Sequence, residues 1–231
     1  MASKIKTISN DPFVIRTGSL SLFIAMSFSG KTFLQRYLLS QLMKTNSMKW
    51  IFVITSTKFN NEWADVVGEK NVDEEFSETK INKLLTFLAN KAKKGEQYPG
   101  LLILDDCMGS VQFNSPIFRK LAGTGRHYAG LTIWCSFQYY KAIPTVMRDN
   151  AAYMFLLNQV NEKVAKSLLE EKANLPFDRW QELQKYIEQE TKNYGACVIQ
   201  THERERPTLT IRAPHPEKKF KLTIKKPRGI K

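Results

Sequence analysis

Two groups of residues in this 231-residue chain are of types that could do phosphate chemistry. The first is the run Ala25-Met26-Ser27-Phe28-Ser29-Gly30-Lys31-Thr32. It fits the loop pattern G-x-x-x-x-G-K-[ST] at the second Gly, the Lys and the Thr, with Ala25 in the place of the first Gly. In such a loop the backbone N–H groups wrap phosphate oxygens, and the helix that follows adds partial positive charge at its N-terminus. Gly30 lets the backbone approach closely, Lys31 reaches the β- and γ-phosphates, and the Thr32 hydroxyl is a ligand for Mg²⁺. Ser27, Phe28, Ser29, Gly30, Lys31, Thr32 and Phe33 are therefore the residues expected to touch a nucleotide. Ala25 can replace Gly without strain if its backbone has negative φ.

The second group is Leu101-Leu102-Ile103-Leu104-Asp105-Asp106, an apolar run that ends in two acids. Two adjacent carboxylates are costly unless a cation or solvent offsets them. Asp105 is expected to hold Mg²⁺ through water, because Mg²⁺ keeps much of its hydration shell. Asp106 is expected to polarise the attacking water. The plain alternative is an acid pair that caps a helix or a turn. Gln138 stands 33 residues after Asp105, just past another apolar run, where its amide could reach a γ-phosphate or a water if the two strands are neighbours. Arg126 and Arg148 are each candidates for an arginine finger offered across a subunit boundary, or else ordinary surface arginines. For His127, spacing reveals no partner.

These residues need elements to hold them. The apolar runs Leu20–Ala25, Trp50–Thr55, Leu101–Leu104, Leu131–Ser136 and Tyr153–Leu157 read as buried strands. Between and after them, helical periodicity appears at Leu34, Leu38 and Leu42, at Ile81 to Leu88, at Ile117 to Ala122, at Pro144 to Asn150, at Val164 to Leu169 and at Trp180 to Ile187, with Asp178 as the N-cap of the last. Residues 57–77 read as loop with a short helix at Asn61 to Val66. Gly195–Gln200 and Thr208–Ile211 read as a final strand pair. Strands alternating with helices predict an α/β fold with a mostly parallel sheet covered on both faces. Ligands of such sheets bind beyond the carboxyl ends of the strands, which is where Gly30-Lys31-Thr32, Asp105-Asp106 and Gln138 fall.

The formal charge is +13, from 35 Lys and Arg against 22 Asp and Glu, which points to a polyanionic partner such as nucleic acid. Residues 202–231 supply ten of the cations against three acids. We divide the chain into a domain over 1–212 and a basic tail over 213–231. The tail is a candidate contact for DNA, a capsid protein or a membrane surface, or a solubilising end. Cys107, Cys135 and Cys197 are odd in number and widely spaced, which reads as buried free thiols rather than a zinc site or a disulfide framework. No apolar run has the length to span a bilayer, and the N-terminus lacks the apolar stretch of a signal peptide, so an intracellular protein is expected, the inside of a virus-infected cell included.

Gly30-Lys31-Thr32, the Leu101–Asp106 run, Gly125-Arg126-His127 before a strand that ends near Gln138, and Pro144 followed by Arg148 and Asn150 occur in an order that resembles the viral genome-packaging ATPases of the FtsK–HerA superfamily, those of large DNA viruses and virophages. The resemblance covers roughly residues 13–160. It implies an ASCE-type, RecA-like P-loop NTPase core, a ring homo-oligomer of five or six subunits, and ATP-driven translocation of double-stranded DNA into a preformed capsid. By position it makes Lys31 and Thr32 ligands of phosphate and Mg²⁺, Asp105 and Asp106 the Walker B pair, Gln138 the sensor, and Arg126 the finger in preference to Arg148. Ala25 and the bulky Phe28 depart from the family pattern. It places the protein in the virion or the host-cell cytoplasm. Two other readings of the residues stand beside this one: a P-loop kinase acting on a small molecule, and a non-catalytic nucleic-acid-binding protein with a degenerate loop.

Overall fold

The computed structural model describes residues 13, 15–45, 48–107, 113, 115–157, 161–172, 175–203 and 208–212. The basic segment 213–231 lies outside the described residues. Eight strands form one sheet: β1 (Leu20–Ile24), β2 (Trp50–Thr55), β3 (Val72–Asp73), β4 (Gly100–Asp105), β5 (Leu131–Phe137), β6 (Ala151–Leu156), β7 (Gly195–Gln200) and β8 (Thr208–Arg212). Their order across the sheet is β3-β2-β4-β5-β1-β6-β7-β8. Every pairing from β3 to β6 is parallel, and the two pairings that add β7 and β8 are antiparallel. The expected mostly parallel sheet is observed.

The helices are α1 (Lys31–Thr45), α2 (Ala64–Val67), α3 (Glu78–Lys93), α4 (Pro116–Thr124), α5 (Thr145–Asn150), α6 (Glu162–Glu171) and α7 (Trp180–Glu190). Two apolar layers sandwich the sheet. On one face, Leu34, Leu38, Leu39 and Leu42 of α1 and Val66 and Val67 of α2 pack on Ile51, Val53, Leu101, Ile103 and Trp134. On the other, α3, α4, α6 and α7 pack on Phe52, Ile54, Leu102, Leu104, Ile133 and Cys135. Alternate residues of β4 thus serve opposite layers, so the strand is apolar at every position from Leu101 to Leu104 rather than alternating. Burying each such large side chain contributes roughly 1.5–3 kcal/mol.

The structure differs from the sequence reading in two local places. Residues 57–77 hold α2, displaced toward the C-terminus from Asn61 to Val66, and the two-residue strand β3 at the sheet edge. Helix α7 starts at Trp180 after an extended Arg179, and Asp178 is not its cap. The Arg179 side chain pairs instead with Glu182 in the first turn, 2.8 Å away.

One feature of the order matters most for chemistry. Strand β5 lies between β1 and β4. Whatever ends β5 therefore stands between the loop after β1 and the acid pair after β4.

Candidate active site

Helix α1 begins directly after the loop 25–30, so the loop is clamped between β1 and the helix. The Ala25 N–H donates to Phe137 O at 2.9 Å, which ties the start of the loop to the end of β5. The loop residues at positive φ are Phe28 (61°) and Gly30 (83°), and Ala25 is not among them. The condition for Ala in place of Gly at residue 25 is met. The left-handed strain falls on Phe28 instead, whose side chain is fully exposed. Ser29 Oγ donates to Met26 O at 2.6 Å and closes the loop on itself. Lys31, the first residue of α1, is buried.

Asp105 ends β4 and is 2% exposed. A buried carboxylate needs donors, and three elements supply them. Thr32 Oγ1 on α1 donates to Oδ2 at 3.0 Å, Trp63 Nε1 just before α2 donates to the same oxygen at 2.8 Å, and Ser136 Oγ on β5 donates to Oδ1 at 2.7 Å. Gln35 Oε1 lies 3.3 Å from the same Ser136 hydroxyl, whose single proton goes to the nearer carboxylate. Thr32 Oγ1 and Asp105 Oδ2 are two hard oxygens brought to one point. Among the described residues no cluster of three or more His, Cys, Asp and Glu forms a metal cage. A two-oxygen site fits Mg²⁺, which keeps several waters and completes its shell with substrate phosphates.

Asp106 leaves the strand at φ 51°, a left-handed turn that Asp and Asn tolerate better than other side chains. Its carbonyl accepts from Ser56 Oγ at 2.5 Å, which fixes the turn against the end of β2. Gln138 Nε2 lies 3.4 Å from Asp106 Oδ1 and 3.4 Å from Ser27 Oγ. The amide thus bridges the acid pair and the phosphate loop. Cys107 is turned inward, donating to Ile54 O at 3.0 Å, and burial together with the nearby Asp105 and Asp106 charges pushes its thiol up to about 12. It is no nucleophile at neutral pH.

The arginines stand apart from this constellation. Arg126 lies in a 3₁₀ turn, Gly125–His127, between α4 and β5, with its side chain outside the described residues. Arg148 is held within the subunit. Its Nε sits 3.0 Å from Glu171 Oε2, an ion pair in which the N–H is not aimed at the oxygen. Its Nη1 donates to Ile143 O at 3.1 Å, and the guanidinium lies over the Tyr140 ring. Trp63 and Ser136 escaped the sequence reading. A polar residue at the carboxyl end of the mostly apolar run Leu131–Phe137, where ligands of such sheets bind, was the available signal for Ser136, and a lone Trp in a polar segment was the signal for Trp63.

Residues 9–187 match the family described as the Poxvirus A32 protein. The chain belongs to that family. No curated protein matches it. Among solved structures, B204, the DNA-packaging ATPase from Sulfolobus turreted icosahedral virus, is 15% identical over 87% of this chain and 100% of its own, with a TM-score of 0.58. The genome-packaging NTPase B204 from Sulfolobus turreted icosahedral virus 2, in complex with sulfate, is 14% identical over 87% of this chain and 98% of its own, with a TM-score of 0.59. The pCW3 conjugation coupling protein TcpA is 16% identical over 85% of this chain and 60% of its own, with a TM-score of 0.55. This A32-family chain therefore has the P-loop ATPase fold expected from its motifs, and the resemblance to viral packaging ATPases is met in family and in fold.

Proposed function

We propose that this chain is an ATP-driven translocase that packages viral double-stranded DNA, acting as a ring homo-oligomer in the virion or the host-cell cytoplasm. The observation that carries the reading is the convergence of Thr32, Asp105, Asp106 and Gln138 from α1, β4 and β5 beside a strand–loop–helix of phosphate-binding type. A poxvirus protein family and a packaging-ATPase fold support it. The B204 relatives were solved with AMPPCP and with ATP-gammaS, and nucleotide is the ligand we assign to the loop here. The +13 charge supplies the attraction to a polyanion. Among the described residues no helix is long and apolar enough to cross a membrane.

Loop backbone from Ser27 to Phe33 cradles the triphosphate, and Lys31 sits against its β- and γ-oxygens. Thr32, and Asp105 through water, would hold Mg²⁺, which when bound would neutralise charge on those oxygens. Trp63 and Ser136 keep the Asp105 carboxylate in one orientation. Asp106 accepts the proton of the water that attacks the γ-phosphorus, while the bond from that phosphorus to the ADP oxygen breaks. Gln138 orients that water between the acid and the loop. Arg126 is our candidate for a finger from the neighbouring subunit.

The test is hydrolysis of ATP by the full chain with and without double-stranded DNA, alongside Lys31→Ala. DNA stimulates the wild type, the stimulation falls steeply with salt, and Lys31→Ala is inactive. Robust hydrolysis by Lys31→Ala, or none by the wild type, overturns the reading. Phosphate transfer to a small acceptor, indifferent to DNA, would point to a kinase instead.

A further inference from the structure

Tyr194 is 63% exposed, yet its ring lies against the phosphate loop: a methyl group built on Gly30 would stand 3.5 Å from its Cδ1. The turn between α7 and β7 forces it there. Asn193 and Tyr194 are both left-handed, at φ 54° and 60°. An aromatic residue adopts that conformation only where its surroundings over-determine it, and such residues gather at ligand sites. Here Gly195 fits where a side chain could not, because a Cβ would meet Glu190 O at 2.1 Å. The Gly195 N–H also donates to Lys192 O at 3.1 Å.

The register sets its height and side. Ile24 of β1 is level with Leu156 of β6, and Leu156 with Cys197 of β7. Tyr194, three residues before Cys197, stands above the carboxyl edge at the level of the loop. The chemistry lies on the opposite side of β1, at the ends of β5 and β4. A triphosphate with its γ end toward Asp106 and Gln138 must run its nucleoside end toward β6 and β7, which is where Tyr194 waits.

We propose that Tyr194 is the stacking platform for the nucleoside moiety of the bound nucleotide. This rests on the reading of residues 25–33 as a nucleotide site. Tyr suits the task because it offers a flat, amphipathic face to any base without selecting by hydrogen bonds. It lies beyond the residues that match the family, 9–187.

The probes are ATP and inorganic tripolyphosphate, each with Mg²⁺, titrated calorimetrically into the full chain. The wild type binds ATP more tightly than tripolyphosphate. Tyr194→Ala weakens ATP about tenfold, leaves tripolyphosphate within about twofold, and raises KM for ATP with little change in kcat. Tyr194→Phe keeps wild-type affinity. Tyr194→Asn, which tolerates the left-handed backbone, reproduces the Ala result should Tyr194→Ala fold poorly. Equal losses of both ligands, or no loss of either, overturn the role of Tyr194 and leave the nucleotide site standing. A wild type that binds tripolyphosphate as tightly as ATP does the same. A wild type that binds neither ligand overturns the nucleotide reading and this inference with it.

Discussion

Trp63 donates its indole N–H to Asp105 Oδ2 at 2.8 Å, on the same oxygen that accepts from Thr32. The indole is buried against α1 and β4, so the hydrogen bond is made without competing water. It orients the carboxylate through which we expect the cation to be held. Trp63→Phe keeps a smaller aromatic ring and removes the donor. We expect kcat for ATP to fall about tenfold, the concentration of Mg²⁺ needed for half-maximal rate to rise, and the melting temperature to drop by several degrees, since the cavity and the lost donor to a buried carboxylate cost about 1–3 kcal/mol. An unchanged Mg²⁺ requirement would reduce Trp63 to a packing residue.

Gln138 reaches both Asp106 and Ser27, each at 3.4 Å. These are long contacts, suited to an amide that tightens on a substrate water rather than one that braces the fold. Gln138→Ala should lower kcat by about 10²-fold and leave ATP affinity within about twofold. Binding measured by calorimetry and turnover measured by phosphate release separate the two. A large loss of affinity would place the amide on the nucleotide itself.

Arg148 and Arg126 should behave oppositely. Arg148 is engaged by Glu171, Ile143 and the Tyr140 ring, and Glu171 also accepts from the Tyr140 hydroxyl at 2.6 Å. Removing one partner of this half-buried cluster leaves the other charge uncompensated, so Arg148→Ala should cost about 2 kcal/mol of stability in denaturant unfolding. Arg126→Ala should fold normally and lose about 10³-fold in kcat. If the finger crosses between subunits, mixing Arg126→Ala with Lys31→Ala chains restores activity. Mixed rings that stay inactive would rule that arrangement out.

The thiols set a pH limit. Burial pushes Cys107 and Cys197 up to about 12 from an ordinary 9.0, with the acids Asp105 and Asp106 adding to the first and Glu190 to the second. The folded chain then keeps a proton that the unfolded chain releases above about 9. Stability from this source is complete below pH 9 and is lost as pH rises toward 12, by up to about 1.4 kcal/mol per pH unit for each thiol. Urea unfolding at stepped pH should show that slope, and Cys107→Ala with Cys197→Ala should reduce it without abolishing it, because burial also raises the Cys135 thiol and the Tyr140 and Tyr186 hydroxyls. At pH 8 neither thiol should react with a maleimide until the chain unfolds.

Much of this is legible in the amino-acid sequence. Strands such as Trp50–Thr55 and Leu101–Leu104 announce themselves because a sheet covered on both faces must be apolar at every position. The loop and the acid pair are local patterns, and they fell where strand ends were expected. Two neighbours of Asp105 were hidden for the opposite reason. Trp63 and Ser136 are 42 and 31 residues from it, and only the tertiary fold brings them together, whereas Thr32, 73 residues away, is expected at the same site from its place in the loop pattern. Tyr194 was hidden in another way, since nothing in a single tyrosine announces that its backbone will turn left-handed over a distant glycine. The cap position expected at Asp178 moved one residue on, to an extended Arg179 whose side chain pairs with Glu182 in the first turn.

The left-handed backbone at Asp106 has a genetic consequence. The residues that sit there without strain are few, and asparagine is one of them. Aspartate and asparagine codons differ by one base. A single transition therefore yields a chain that should keep its fold and, on our reading of Asp106 as the proton acceptor, lose its catalysis, so that selection on this position would act through chemistry rather than through folding quality control.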